Sequence, residues 1–299
     1  MSIECFDRAL PHGITLSCRA AGSAALAHKV LLLHGFPEGA FIWDDVMQRL
    51  SGRARCVAPN LRGYERSSAP AEVQAYRTKH LVTDIAALID SVGAPIDLLV
   101  AHDWGGAVAW TLAAQRPQLI KRLLIVNSPH PATFLRELRA SPSQQAASAY
   151  MNFLCRADAA ALLAADDFKR LWPFFTQMGG ATWLDDALRE QYRKLWRQGL
   201  EGPLNYYRAS PLKPATAPDD PIHQLELSRA SVTVNVPTTV VWGEADVALP
   251  PSLLDGLDEF VGSLVVHRIA GASHWIVHEQ PALIAATIEQ LLKPPRSGP

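Results

Sequence analysis

The chain has 299 residues, of which 48% are hydrophobic, 19% charged and 8% aromatic, a composition that excludes a disordered or fibrous protein and allows a sizeable core. At about 150 residues per domain, the length suits one large domain or two intimate ones that need no disulfide or metal staples. The 28 Lys and Arg against 29 Asp and Glu leave a formal net charge of -1, which argues against a broad polyanion-binding face and leaves small neutral substrates open.

The start, MSIECFDRAL, lacks a basic region followed by an apolar stretch of roughly 7 to 15 residues, so no secretory signal is expected. The apolar runs at 30–33 and 96–101 fall far short of the ~20 residues that span a bilayer. A soluble, cytoplasmic protein is expected. The first 25 residues read as two strands around a turn at Pro11-His12-Gly13. Cys5, Cys18, Cys56 and Cys155 show no C-x-x-C spacing, so reduced, buried thiols are the better reading. A Cys5–Cys18 pair facing across that hairpin stays open.

Residues 28–34 (HKVLLLH) form an uninterrupted apolar run, the pattern of a strand buried on both faces, and imply a parallel sheet. An amphipathic helix follows over 41–50, then a short strand over 55–59 and a helix over 78–91 stopped by Gly93 and Pro95. Further strands are predicted at 96–101 and 123–126, with a helix over 105–115 between them. Repeated βα units indicate a sheet with helices on both faces. After Asn127-Ser128-Pro129-His130-Pro131 only helix signals occur to about residue 229. Among them are an N-cap at Ser141 with Pro142 at the first helical position and a helix over 182–199. Alternation resumes with a strand at 238–242, a helix near 251–260, a strand at 264–269 and a final helix over 281–292. The tail 294–299 is expected to fray. The domains expected are a core over 1–131 and 230–299, interrupted by a helical cap over 132–229.

Ala101-His102-Asp103-Trp104-Gly105-Gly106 follows a buried strand and opens a helix. Its order, small-x-nucleophile-x-small, is that of a strand-turn-helix nucleophile elbow with aspartate in the usual place of serine. Small neighbours are required because the central residue occupies a strained backbone conformation. Asp103 could otherwise only cap the helix. His274, in GASHW just after the last predicted strand, stands where a general base belongs. Asp246, in WGEAD after the preceding strand, would orient it. Glu244 is the competing acid, and the other common acid position, after the strand ending at Val126, carries the neutral Asn127. The loop His34-Gly35-Phe36-Pro37-Glu38 follows the third strand, so the backbone N–H groups of Phe36 and Trp104 are the candidate oxyanion hole. Without that role the loop is a plain turn. His28, His80, His223 and His267 are read as structural, and the roles of His102 and His278 stay open.

The segments HGFPE (34–38), LRGYERS (61–67), AHDWGG (101–106), WGEAD (242–246) and GASHW (271–275) together resemble those of epoxide hydrolases of the α/β-hydrolase fold. The resemblance implies a mostly parallel central sheet with helices on both faces and an inserted all-helical cap. In the cap, LNYYR (204–208) resembles the family segment whose second aromatic binds the epoxide oxygen, which maps that role to Tyr207. Ala149-Tyr150-Met151 resembles the segment with the other tyrosine, mapping it to Tyr150, and Met151 departs from the polar residue found there in some members. Tyr192 and Tyr206 are read as packing, and Trp104, Trp183, Phe174 and Phe175 as apolar pocket walls.

A carboxylate attacking an sp3 carbon forms an alkyl ester and divides a slow hydrolysis into two steps. Two phenols can hydrogen-bond the developing alkoxide without being ionised at neutral pH. The expected partners are a small apolar epoxide and water, with no metal, cofactor, nucleic acid or membrane, and a homodimer is left open. A haloalkane dehalogenase shares the Asp nucleophile and adjacent Trp, but its second halide donor commonly stands where this chain has Phe36. A fluoroacetate dehalogenase would need arginines near the elbow, where this chain has Trp104 and Ala107. A catalytically silent binding module would not need the Asp103, Asp246 and His274 set.

Overall fold

The computed structural model describes residues 2–179 and 181–293, so the expectation for the tail 294–299 lies outside the described residues. In chain order the elements are β1 (Glu4–Ala9), β2 (Thr15–Ala21), β3 (His28–Leu33), α1 (Asp44–Leu50), β4 (Ala54–Pro59), α2 (Thr78–Val92), β5 (Leu98–His102), α3 (Trp104–Gln115) and β6 (Leu123–Val126). Eight helices follow: α4 (Pro131–Ala140), α5 (Pro142–Ala147), α6 (Tyr150–Leu154), α7 (Ala159–Phe168), α8 (Trp172–Thr176), α9 (Asp186–Trp196), α10 (Glu201–Ala209) and α11 (Arg229–Val232). The chain ends with β7 (Thr238–Gly243), β8 (Leu264–Ile269), α12 (Ile276–Glu279) and α13 (Pro281–Leu292).

One sheet runs in the order β1-β2-β4-β3-β5-β6-β7-β8. The β1–β2 and β2–β4 pairs are antiparallel, and every pair from β4 to β8 is parallel. The uninterrupted apolar runs follow from burial on both faces. Val30 and Leu32 pack with α1 and α13 on one side. Leu31 and Leu33 pack with α2 and α3 on the other.

Register answers the question of the two N-terminal cysteines. Cys18 pairs with Phe6 and Cys5 with Arg19, an offset of one residue that sends the two thiols to opposite faces. No Cys5–Cys18 bridge forms, and all four cysteines are free; only Cys18 and Cys56 are buried as expected, whereas Cys5, on the edge strand β1, is exposed and Cys155 half-buried. The helix expected near 251–260 is instead two 3-10 turns, Pro251–Leu254 and Leu257–Glu259. Gly256 between them, at φ +70°, takes a left-handed conformation that an α-helix cannot contain. Among the described residues, no helix is long and apolar enough to cross a membrane.

Between β6 and β7 the described residues form helices and loops only, and this segment sits over the C-terminal ends of the strands. Gly63 and Gly202 meet so closely that a Cβ on Gly202 would lie 2.6 Å from the Gly63 Cα. The Tyr206 hydroxyl donates to the Arg62 carbonyl (2.9 Å), and Trp196 Nε1 to the Pro37 carbonyl (2.7 Å). Arg62 is itself pinned by a buried two-pronged pair with Asp84, at 2.8 and 2.6 Å. Its remaining donor reaches the Ala75 carbonyl at 2.7 Å.

Asp84→Ala would leave the Arg62 guanidinium buried without its counter-charge. A loss of about 3–5 kcal/mol is expected, measured as the shift in unfolding free energy by urea titration.

Candidate active site

Asp103 sits in the turn between β5 and α3 with φ +49° and ψ -124°, a conformation that costs a non-glycine residue of order 1–3 kcal/mol. The surroundings leave no alternative. A Cβ on Gly105 would lie 2.6 Å from the His34 carbonyl oxygen, and one on Gly35 would lie 2.1 Å from Asp103 Oδ1. The turn is also held by Ser128, whose hydroxyl donates to the Asp103 carbonyl at 2.6 Å. The strained turn lifts the carboxylate off the strand end, where Asp103 Oδ1 accepts the Phe36 N–H at 2.7 Å. Trp104, the other candidate oxyanion donor, begins α3, and its amide makes no bond to the carboxylate among the described contacts.

The Phe36 loop is fixed from behind by His34. Its Nδ1 donates to the Gly35 carbonyl (3.0 Å), and its Nε2 accepts from Leu61 N (3.0 Å). Only a neutral ring can do both. Burial pushes its pKa down to about 4, so it stays neutral.

His274 lies in the loop after β8. Its Nε2 is 3.8 Å from Asp103 Oδ2, and its Nδ1 is 2.7 Å from Asp246 Oδ2. Asp246 is buried, and its other oxygen accepts the Ala248 and Leu249 amides at 2.9 Å each. Burial alone would lower the His274 pKa, but the charge and hydrogen bond of Asp246 override it. With added pull from Asp103 and Glu38, it stands raised at about 9. Glu244, the competing acid, is exposed and turned to Arg268, 3.7 Å away. Asn127 takes part after all: its Nδ2 donates to Asp246 Oδ2 (2.8 Å), and its Oδ1 accepts from Gly243 N (2.8 Å). The loop carrying His274 is tied down by Glu279, which accepts from Ser273 N and Oγ at 2.9 and 2.5 Å.

Asp103, Trp104, Tyr150 and Tyr207 share one cavity, walled also by Phe134 and Met151. Tyr207 stands edge-on to Trp104 and Phe36, with ring centres 5.0 and 5.2 Å apart, and Tyr150 lies 6.2 Å from Tyr207. Burial, reinforced by the neighbouring carboxylate of Asp103, holds both phenols above their ordinary pKa. They are therefore protonated donors.

Several residues are placed differently from the sequence expectation. Phe174 touches Tyr150 and Phe36, near the cavity as expected. Phe175 and Trp183 instead join a separate aromatic cluster with Trp275, Phe175 because α8 turns it to a different side from Phe174. Tyr206 is structural, spending its hydroxyl on Arg62. Tyr192, read as packing, donates to Glu38 at 2.7 Å. His102 and His278 both face the same carboxylate, at 3.4 and 2.8 Å. The sequence signal for this cluster is the acid in HGFPE, Glu38, which the local pattern marks only as part of a loop.

A family model described as the alpha/beta hydrolase fold matches residues 29–281. Epoxide hydrolase 4 of Mus musculus is 30% identical over 98% of this chain and 80% of its own length. The AB hydrolase superfamily protein YfhM of Bacillus subtilis (strain 168) is 31% identical over 94% of this chain and 96% of its own. The crystal structure of the Bacillus megaterium epoxide hydrolase in complex with an inhibitor matches with a TM-score of 0.87 and 31% identity. That match covers 96% of this chain and 99% of the bacterial one. The chain therefore belongs to the α/β-hydrolase fold family, and its relatives there include epoxide hydrolases.

Proposed function

We propose that this protein is an epoxide hydrolase, a hydrolase acting on ether bonds, that converts an apolar epoxide to a vicinal diol through a covalent ester at Asp103. One observation carries the reading. The Asp103 carboxylate has one oxygen on the Phe36 amide and the other facing His274, in a cavity shared with two protonated tyrosines, Tyr207 buried and Tyr150 half-buried.

In the first step Asp103 Oδ2 attacks a ring carbon, forming an ester C–O bond as the ring C–O bond breaks and its electron pair passes to the epoxide oxygen. Tyr150 and Tyr207 hydrogen-bond that developing alkoxide, supplying the electrostatic stabilisation that an oxyanion otherwise lacks in an apolar pocket. Esterification removes the Asp103 charge, one of the influences that hold the His274 proton. The proton can then pass to the alkoxide, leaving His274 neutral when a base is needed.

In the second step His274 Nε2 takes a proton from water, and the resulting hydroxide attacks the side-chain carbonyl carbon of Asp103. The oxyanion is held by the N–H groups of Phe36 and Trp104. Collapse releases the diol and restores both the Asp103 carboxylate and the His274 imidazolium. Asp246, supported by Asn127, keeps the ring aligned throughout. The helical segment 132–229 acts as the cap that supplies both tyrosines and excludes bulk water. Phe36 offers no side-chain donor for a halide, which favours an epoxide over a haloalkane. Four unpaired cysteines suit a reducing cytoplasm.

Incubation with styrene oxide should yield the diol, and a haloalkane panel should release no halide. Halide release without diol would overturn the assignment. A single turnover in heavy-oxygen water should place the label in the Asp103 carboxylate, read by peptide mass spectrometry. Tyr207→Phe should slow ester formation by roughly 10- to 100-fold with little change in binding, measured by stopped-flow fluorescence. An unchanged rate would reduce Tyr207 to packing. In an NMR titration of the resting enzyme, His274 should lose its proton near pH 9. In Asp246→Asn the midpoint should fall, because burial is then opposed only by Asp103 and Glu38.

A further inference from the structure

The fully buried carboxylate of Glu38, two residues beyond the Phe36 amide, is where four separate pieces of chain meet. Its Oε1 accepts from the Tyr192 hydroxyl at 2.7 Å and from His278 Nε2 at 2.8 Å, and its Oε2 faces His102 Nδ1 at 3.4 Å. Tyr192 comes from α9 in the helical segment. His278 lies on α12, directly after the loop that carries His274, and His102 immediately precedes Asp103.

Counting protons fixes the roles. The phenol has one hydrogen, and it goes to the carboxylate. His278 Nε2 lies 3.0 Å from the Tyr192 oxygen and 2.8 Å from Glu38 Oε1. A bare nitrogen there would set its lone pair against the carboxylate, so this atom carries its proton. Trp183, also from the helical segment, lies flat on the ring at 4.2 Å and 4° and holds its orientation. His102 Nε2 is 2.9 Å from the His274 carbonyl, which can only accept, so this nitrogen donates. Burial pushes the Glu38 pKa up, yet the adjacent His102 ring and the hydrogen bond from His278 hold it below the ordinary carboxylate range. A buried carboxylate remains ionised only while its donors stay in place, and one of those donors belongs to the helical segment.

We propose that Tyr192 and His278 are positioning residues. By jointly holding Glu38 as a carboxylate, they tie the seating of the helical segment to the orientation of His102 and, through its bond to the His274 carbonyl, to that of the base. Neither residue lines the cavity around Asp103, so their effect falls on turnover and not on substrate capture. Water attack on the ester is then fast only when the helical segment is seated. This role rests on the epoxide hydrolase reading, and diol formation by the unaltered protein tests that reading separately.

The experiment is single-turnover stopped-flow fluorescence with styrene oxide on the wild type, Tyr192→Phe, His278→Ala and His278→Gln, with KM and thermal midpoint measured alongside. Tyr192→Phe and His278→Ala should slow ester hydrolysis by about tenfold while KM changes by less than about twofold. His278→Gln, whose amide nitrogen can still donate to Glu38, should recover most of the lost rate. Lower thermal midpoints with wild-type ester hydrolysis in both donor-deleting variants would make these residues purely structural and overturn the proposal. So would a His278→Gln variant as slow as His278→Ala, a comparison that stands even if Tyr192→Phe does not fold. If the wild type forms no diol, the parent reading fails and this role falls with it.

Discussion

The site depends on one strained residue. Asp103 is held at φ +49° between a buried strand and a helix, and that conformation alone points its carboxylate away from the sheet and toward the Phe36 amide. Small residues around the turn permit it: Gly105 lies against the backbone of Leu33 and His34, and Gly35 against the carboxylate itself. The strain of order 1–3 kcal/mol is met by packing of the two flanking parallel strands. With β3 and β6 hydrogen-bonded on either side of β5, the turn cannot relax without breaking the centre of the sheet.

Electrostatics then divides the labour among the carboxylates. Asp246 is surrounded by donors, the amides of Ala248 and Leu249, Asn127 and His274, so both of its oxygens are committed to holding the site together. Asp103 has one backbone donor and a histidine at 3.8 Å, so one of its oxygens is left free to react. Glu38 carries a third negative charge close by, and the raised pKa of His274 reflects the pull of all three carboxylates. The two tyrosines stay protonated because burial disfavours the phenolate, and ionising either would also add a negative charge beside Asp103.

Much of this could be read along the chain because the deciding patterns are local. A strand buried on both faces shows as an unbroken apolar run, and the elbow needs small residues at fixed offsets from Asp103. The order Asp103, Asp246, His274 follows from where strands end. What the sequence concealed is long-range. Tyr192 lies 154 residues from Glu38 and His278 240 residues from it, on elements whose relative placement no local pattern encodes. Asn127 looked like a vacant acid position because its amide finds Asp246 only across the β6–β7 pair. The two 3-10 turns around Gly256 were hidden for a simpler reason. Their apolar spacing imitates a helix, and only the left-handed glycine betrays the break.

The pairing of β6 with β7 joins stretches of chain separated by the whole helical segment. Asp103 lies on the amino-terminal side of that gap, and both Asp246 and His274 lie beyond it. A ribosome emitting this chain therefore releases Asp103 long before Asp246 and His274. Until β7 docks beside β6 and β8 closes the sheet, the Asp103 carboxylate has neither His274 facing it nor Asp246 to hold that ring. The order of synthesis therefore makes completion of the sheet, with β7 beside β6 and β8 beside β7, the event that first brings Asp103, Asp246 and His274 together.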